Sequence, residues 1–187
     1  MSRLLAALAL ALPVAGAFAE PLEYRLDPDH TFVHWEVRHF GTSTSRGRFG
    51  AVTGTVQIDR EKGGGSVNLR IGTASVDTGL RPFDARLREA DLLASQEFPD
   101  AYFVATRLRF EGEVLAEVRG EFILRGVSQP LSLIAKRFGC RQGPGGEVCG
   151  GDFEATLLRS DFGMTYGLPW IENSVLLQIQ VQARAVR

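Results

Sequence analysis

The chain has 187 residues, with 22 acidic and 21 basic side chains and a formal net charge of −1. Because these charges are interspersed and nearly balanced, they do not indicate a nucleic-acid surface, and the length suits one domain with one hydrophobic core. Beyond the first residues, no stretch is apolar enough to predict a membrane-spanning helix.

The first segment has the features of a secretory signal peptide. An early positive charge precedes a short apolar run, and small residues stand at alternate positions before Glu20. The run is too short to cross a bilayer, which needs roughly 20 apolar residues. We therefore predict a signal peptide over residues 1–19 and one mature domain over residues 20–187, exported to the periplasm of a Gram-negative cell.

Two-residue alternation runs through most of the mature chain. Val33, Trp35 and Val37 share one face of the first long strand, and a row that begins at Val175 alternates with glutamines in the last. About eight such strands, one of them expected over residues 48–59, are joined mostly by short loops, which predicts an antiparallel sheet. Strands this long, with glycines inside them, favour a closed barrel over a sandwich.

One stretch between residues 76 and 102 has a helical period instead. Phe83, Leu87, Ala90 and Ala94 have the spacing of a single apolar stripe on a helix, and the charged residues between them are expected on a solvated face. A lone helix of this kind must bury its stripe against the sheet. The fold class expected is therefore all-β: an eight-stranded antiparallel barrel with a short helix-bearing insertion.

An eight-stranded barrel is either filled by side chains or holds a small ligand. The inward rows here mix large residues with small ones, which leaves room for a carbon-lined lumen suited to a long apolar chain, at about 0.8 kcal/mol per buried methylene. Phe110 is placed inward as the last member of a row that begins at Tyr102. The residues expected to line the pocket are Val33, Trp35, Val37, Phe110, Phe122, Val175, Leu177 and Ile179, with His39 at the rim as a head-group contact. A filled barrel that serves as an interaction protein is the alternative.

Cys140 and Cys149 flank a turn-rich loop. Export to an oxidising compartment favours a disulfide between them, which for so short a loop contributes roughly 2–3 kcal/mol. A metal or redox pair is the weaker alternative because there is no C-x-x-C motif. Of the three histidines, His34 and His39 face opposite sides of a strand, and with His30 they lack a further ligand, so no metal site is predicted.

The sequence also lacks the common catalytic motifs. It contains neither a G-x-S-x-G elbow nor an H-E-x-x-H helix, and the neighbours Ser160 and Asp161 would point apart on a strand. We predict no catalytic residue and no cofactor. The alternative is an enzyme or redox accessory that acts on an apolar substrate, with His39 or Asp161 transferring a proton.

Eight short motifs follow one another along the mature chain. They are Tyr24-x-x-Asp27-x-x-His30-Thr31, Val37-x-His39-x-Gly41, Gly47-x-Phe49, Ser75-Val76-x-Thr78-Gly79, Asp84-x-x-Leu87, Phe98-Pro99-x-Ala101-x-Phe103, Gly120-x-Phe122-x-Leu124-x-Gly126-Val127-x-x-Pro130 and Arg159-Ser160-Asp161-Phe162-Gly163. Each motif is weak alone, but eight in this order are specific. Together they resemble the YceI-like family.

The resemblance implies an extended, lipocalin-like barrel that carries a polyisoprenoid, quinone-like or other long-chain amphiphilic lipid in its lumen. It further implies a periplasmic binding protein linked to lipid transport or storage, often a homodimer, with no established catalysis. The chain departs from the family pattern in two places: Arg125 stands where histidine is usual, and Leu92 and Leu93 stand where two aromatic residues are usual. Both departures fall where the ligand or the helix packing would be affected.

Overall fold

The structure, a computed structural model, describes residues 21–60 and 62–186, so the predicted signal peptide lies outside the described residues. Strands dominate these ranges. They are β1 (Leu22–Leu26), β2 (Phe32–His39), β3 (Ser43–Phe49), β4 (Val52–Asp59), β5 (Gly64–Gly72), β6 (Val76–Asp77), β7 (Asp100–Glu111), β8 (Val114–Leu124), β9 (Val127–Gly143), β10 (Gly146–Leu158) and β11 (Ser174–Ala185). The helix α1 (Arg81–Leu87) and 3-10 turns at Pro28–His30, Thr73–Ser75 and Arg159–Phe162 complete the fold.

Eight of these strands close into an antiparallel barrel. They follow the order β1-β4-β5-β7-β8-β9-β10-β11, and β11 pairs with β1 to complete the ring. Beyond β1, the strand β2 continues along β11, where Trp35 is opposite Leu177. Strand β3 then returns along β2 and also pairs with the short β6. The predicted eight-stranded, lipocalin-like barrel is confirmed.

The prediction of one long strand over residues 48–59 is wrong in detail, because these residues belong to two strands, β3 and β4. At the break, the backbone N–H of Ala51 donates to Ser75 Oγ at 3.2 Å, and its carbonyl accepts from the N–H of Gly72 at 2.9 Å. Both polar groups of Ala51 are therefore bonded to the end of β5 and the 3-10 turn that follows it rather than to a strand ladder. The division lets β3 pair with β2 while β4 pairs with β1.

The predicted helix is much shorter than its apolar stripe suggested. Phe83 and Leu87 pack against the core as expected, but the chain leaves the helix after Leu87, and Ala90 is exposed. The turn that follows brings the pair Leu92-Leu93 to the barrel instead. Ala94 is buried as well, so of the predicted stripe only Ala90 is left in solvent. The two leucines bury apolar surface in addition, which favours the irregular path.

The expectation of a solvated charged face on this helix is wrong for Asp84. Its carboxylate is buried and accepts hydrogen bonds from the backbone N–H of Thr78 at 2.8 Å and from the Thr78 hydroxyl at 2.6 Å. These bonds lower the pKa of Asp84. On the same turn, Arg88 Nε donates to the carbonyl of Ala74 at 2.9 Å. Asp84 thus fixes the helix to the turn directly before it, and Arg88 fixes the end of the helix to the 3-10 turn Thr73–Ser75.

A register shift in β7 changes which residues face the interior. The row that was expected to face inward begins at Tyr102, but Tyr102 and Val104 face outward. Ala101, Phe103 and Ala105 are buried in their place. The pairing with β8 shifts between Ala105 and Arg107, which returns Leu108 and Phe110 to the inner face. Opposite the shift, Gly120 approaches β7 so closely that an added Cβ would lie 2.4 Å from the carbonyl oxygen of Val104.

The interior of the barrel has two different halves. One half, here called the closed half, is packed with large side chains from the ends of β1, β4, β7, β8 and β10. These side chains are Tyr24, Ile58, Leu108, Leu115, Val118 and Phe153. The other half, the open half, contains a cavity. The sequence left a filled and an open lumen as alternatives, and the barrel combines both.

Candidate functional site

The open half encloses an elongated apolar cavity of about 200 Å³. Its wall extends from Thr31, directly before β2, to His39 at the end of β2. These eight residue steps correspond to about 26 Å at the rise of a β-strand. The strands contribute Val33, Trp35, Val37, His39, Phe49, Val52, Leu69, Ile71, Ala101, Phe103, Phe122, Leu124, Leu131, Leu133, Leu157, Val175, Leu177, Ile179 and Val181 to the wall. Alternate residues of each strand face inward, which is why so many strand positions reach one cavity.

Most of the predicted pocket residues lie on this wall. They are Val33, Trp35, Val37, His39, Phe122, Val175, Leu177 and Ile179. The exception is Phe110, whose predicted place in the pocket is wrong: it faces inward as expected, but it lies opposite Leu115 near the end of β7, packs against the core of the closed half and does not line the cavity. Contact of the other residues with a ligand stays a prediction.

Several residues of the wall come from outside the strands and were not predicted. The insertion after β6 supplies Phe83, Arg86, Leu87, Leu92 and Leu93, and the segment between β10 and β11 supplies Arg159, Met164, Tyr166 and Ile171. Period-two alternation cannot detect these residues because neither segment is a strand. Two sequence signals pointed to the insertion: the apolar stripe with Phe83 and Leu87, which was expected to pack on the sheet, and the departures from the family pattern at Leu92 and Leu93.

Arg86 joins the two irregular segments at the rim of the cavity. Its guanidinium donates to both carboxylate oxygens of Asp91, at 2.6 and 2.7 Å, and its Cζ lies 4.3 Å from the centre of the Tyr166 ring. These hydrogen bonds to the Asp91 carboxylate raise the pKa of Arg86, so the guanidinium stays positively charged. Behind it, Arg125 donates to the carbonyls of Ala90, at 2.6 Å, and Leu92.

Arg159 stabilises the segment between β10 and β11 on the other side of the rim. It is buried, and its guanidinium donates to the backbone carbonyls of Met164 at 2.7 Å, Ile171 at 2.9 Å and Glu172 at 2.9 Å. Burial lowers the pKa of Arg159. By bonding both ends of the segment between Met164 and Glu172, this side chain fixes the loop that borders the cavity.

The rim carries exposed aromatic side chains. His39 forms an isolated β-bridge with Ile171, and next to it the backbone N–H of Phe40 donates to the carbonyl of Trp170 at 2.7 Å. The side chains of Phe40 and Trp170 are 68% and 65% exposed. The opening of the cavity therefore leads onto an apolar part of the outer surface.

Trp35 is the polar exception on the cavity wall. The residue is only 6% exposed, and its indole Nε1 has no hydrogen-bond partner among the described residues. The ring lies against the backbone of Gly47 on β3, where an added Cβ would be 2.5 Å from Trp35 Cζ2. A glycine at this position is therefore what gives the indole its room.

The alternative catalytic groups do not meet at the cavity. Asp161 is exposed and is not part of the wall, while Ser160 is bonded to Asn173, which accepts from its backbone N–H at 2.9 Å and donates to its hydroxyl at 2.8 Å. His30 instead pairs with Asp27, with Nδ1 3.1 Å from the carboxylate. Of the two proton-transfer candidates, His39 lines the cavity and Asp161 does not.

The predicted disulfide is present in the closed half. Cys140 and Cys149 lie opposite each other on β9 and β10 and are joined by a Sγ–Sγ bond. Beside them, the hydroxyl of Tyr24 donates to Glu147, and Arg60 Nη2 lies 3.0 Å from Glu147 Oε1. Burial and the bond to Glu147 raise the pKa of Tyr24 to about 12. This polar cluster and the disulfide stabilise the end of the barrel away from the cavity.

Comparison with known proteins agrees with this architecture. The sequence profile of the YceI-like domain matches residues 24–183. The chain belongs to the YceI-like family. The Protein YceI sequences of Salmonella arizonae and Salmonella heidelberg are each 35% identical over 164 residues, covering 86% of this chain and 85% of theirs. Within the described residues, no helix is long and apolar enough to cross a membrane.

Two solved structures have a similar fold. BcnA of Burkholderia cenocepacia superposes with a TM-score of 0.72 at 18% identity, covering 84% of this chain and 98% of that one. A polyisoprenoid binding domain from Saccharophagus degradans gives a TM-score of 0.68 at 17% identity, covering 88% and 99%. At these sequence identities, the superpositions show that the folds are similar and nothing more.

Proposed function

We propose that this YceI-like protein is a non-enzymatic carrier that binds a polyisoprenoid or another long-chain amphiphilic lipid in the open half of its barrel. The observation that carries the proposal is the elongated apolar cavity of about 200 Å³. Each methylene buried there contributes about 0.8 kcal/mol without any polar recognition. The similar fold of a polyisoprenoid binding domain supports the same ligand class.

The side chains of the wall support binding rather than catalysis. The titratable groups among the described residues that line the cavity are His39, Arg86, Arg159 and Tyr166, and none of the lining residues is a carboxylate, a serine or a cysteine. A histidine without an acidic partner or a nucleophile is poorly equipped for hydrolysis or proton transfer. His39 is better suited to contact the head group of a lipid at the rim.

The periplasm is the compartment in which we place this carrier. The predicted signal peptide over residues 1–19 supports export, and a disulfide between Cys140 and Cys149 is typical of an oxidising compartment. An amphiphile that leaves a membrane needs protection from water there. Transport or storage of such a lipid is the role that an apolar cavity can serve.

Native mass spectrometry of the exported protein, followed by solvent extraction and lipid analysis, tests the proposal. We expect an adduct that extracts as a prenyl or acyl chain. The variant Val175→Trp narrows the cavity and should lose the adduct, whereas Val104→Trp, the same change at a 40% exposed position on the outer face of β7, should keep it.

The proposal fails if the protein carries no adduct and also takes up no added polyprenols, quinones or fatty acids. Equal retention of the adduct by the two tryptophan variants would place the lipid outside the cavity and would also contradict it. The same spectra report the oligomeric state and so test the homodimer that the family resemblance implies.

A further inference from the structure

The unpaired indole of Trp35 is the starting point. Buried N–H groups in folded proteins nearly always have a partner, and an unpaired one is costly. The neighbours of Trp35 on the inner face are Val33, Val37 and Leu177, which offer no side-chain acceptor. Because the ring lines the cavity, a bound ligand is the group that can supply one.

The position of Trp35 determines how deep such a group must lie. Trp35 precedes His39 at the rim by four residues on β2, about 13 Å at the rise of a strand. The cavity of about 200 Å³ is larger than the 150 Å³ cavity that is known to enclose benzene. A small ring or the end of a chain can therefore enter the cavity, and when it reaches Trp35 the remainder of the chain leads toward the rim.

We propose that Trp35 Nε1 donates a hydrogen bond to a neutral carbonyl oxygen of the ligand. This inference rests on the proposed function and narrows its ligand class to amphiphiles with a buried quinone, ketone, ester or amide carbonyl. Hydrocarbons and simple prenyl alcohols are excluded as preferred ligands.

The surroundings of Trp35 favour a carbonyl over other acceptors. An alcohol oxygen can accept from the indole, but its own O–H would then lack an acceptor beside Val33, Val37 and Leu177. A carboxylate or phosphate would lose its hydration for one neutral donor, which does not compensate for the buried charge.

The experiment uses three probes that share one carbon skeleton: a long-chain methyl ketone, the matching secondary alcohol and the parent alkane. Their affinities are measured on the mature protein and on Trp35→Phe, which removes the N–H but keeps an aromatic ring. Trp170→Phe is the matched control, because Trp170 is exposed and does not line the cavity. We expect the preference for ketone over alkane to fall about threefold to tenfold in Trp35→Phe and to stay unchanged in Trp170→Phe.

Nuclear magnetic resonance of the unsubstituted protein gives a second measurement that does not depend on the stability of a variant. Trp35 and Trp170 each contribute one indole N–H signal, and Trp170→Phe assigns them. The ketone should move the Trp35 signal downfield, as a new hydrogen bond does, and the alkane should not.

The outcomes separate this inference from the proposed function. If ketone, alcohol and alkane bind equally well and the Trp35 signal does not respond to the carbonyl, the inference is wrong while the carrier function stands. If none of the probes binds and no natural lipid extracts from the protein, the carrier function itself is wrong. A ketone preference that persists in Trp35→Phe would assign recognition to another donor and would also overturn the inference.

Discussion

The indole of Trp35 occupies the space in which the side chain of residue 47 would begin: Cζ2 lies 2.5 Å from the ideal Cβ position of Gly47. The two residues are directly paired across β2 and β3. The width of the cavity at this level therefore depends on the absence of one carbon atom in the neighbouring strand. This relationship links the shape of the binding site to a position that does not line it.

Gly47→Ala should push the indole away from β3 and into the cavity. We expect a loss of about 1–3 kcal/mol in the free energy of unfolding, as for other overpacked interiors, together with weaker lipid binding. Thermal unfolding and ligand titration measure the two effects. Gly50→Ala is the control, because an added Cβ there would have Phe32 as its nearest neighbour at an ordinary 3.8 Å. Equal effects of both changes would contradict the steric argument.

Arg159→Met should destabilise the loop that borders the cavity. The change leaves the carbonyls of Met164, Ile171 and Glu172 without their donor, and a single unsatisfied buried group costs about 1–3 kcal/mol. Denaturant unfolding measures the loss. Arg137→Met, at a side chain that is 84% exposed, should change stability by no more than about 0.5 kcal/mol. If the two variants unfold alike, Arg159 does not support the loop.

Glu117 should contribute to the acid sensitivity of the fold. Its buried carboxylate accepts from Arg119 Nε at 2.7 Å and Arg109 Nε at 3.2 Å, and these bonds lower its pKa from 4.5 to about 2. The stabilisation is therefore present above pH 4.5 and is lost as the pH falls through about 2.

Glu117→Gln should be less stable than the unsubstituted protein at neutral pH and should lose less further stability across that acidic range. Thermal melts at a series of pH values measure both slopes. Glu113→Gln, at an exposed carboxylate in the β7–β8 turn, should leave the pH profile unchanged. If the melting temperatures of Glu117→Gln and the unsubstituted protein change in parallel with pH, protonation of this carboxylate is not coupled to unfolding.

Reduction of the disulfide should lower stability without affecting the cavity. Cys140 and Cys149 are nine residues apart, and closing a loop of this size contributes roughly 2–3 kcal/mol. A chain of this length should lose about 2–4 °C in melting temperature per kcal/mol. The double variant Cys140→Ser, Cys149→Ser should melt at the reduced temperature and should not respond to reductant. Weaker lipid binding on reduction would contradict the separation of the disulfide from the site.

The regular part of the barrel could be predicted because alternation reports the facing of a strand directly. Val33, Trp35 and Val37 lie on the cavity wall as their spacing indicates. The same reasoning misplaced Tyr102 and Val104, because a register shift adds a residue to one strand and reverses the facing of the positions before it. It placed Phe110 on the correct face but could not tell that this residue lies in the closed half. No residue type in β7 marks that shift on its own.

The irregular half of the site could not be predicted from periodicity. The contribution of Arg86, Arg159 and Tyr166 depends on the path of two loops, and that path is determined by long-range bonds such as the one from Arg159 to the carbonyl of Ile171. Asp84 was expected in solvent for the same reason, since its partner Thr78 lies in the turn before the helix. Local pattern does not encode such contacts.

The closed half of the barrel has a consequence for how this family can change. Its packed side chains, the Tyr24–Glu147–Arg60 cluster and the disulfide lie apart from the cavity, so the unliganded protein keeps a complete hydrophobic core. Substitutions in the closed half should therefore change the free energy of unfolding and leave the shape of the cavity unchanged. The thermal robustness of the barrel can in this way be adjusted at one end independently of the other.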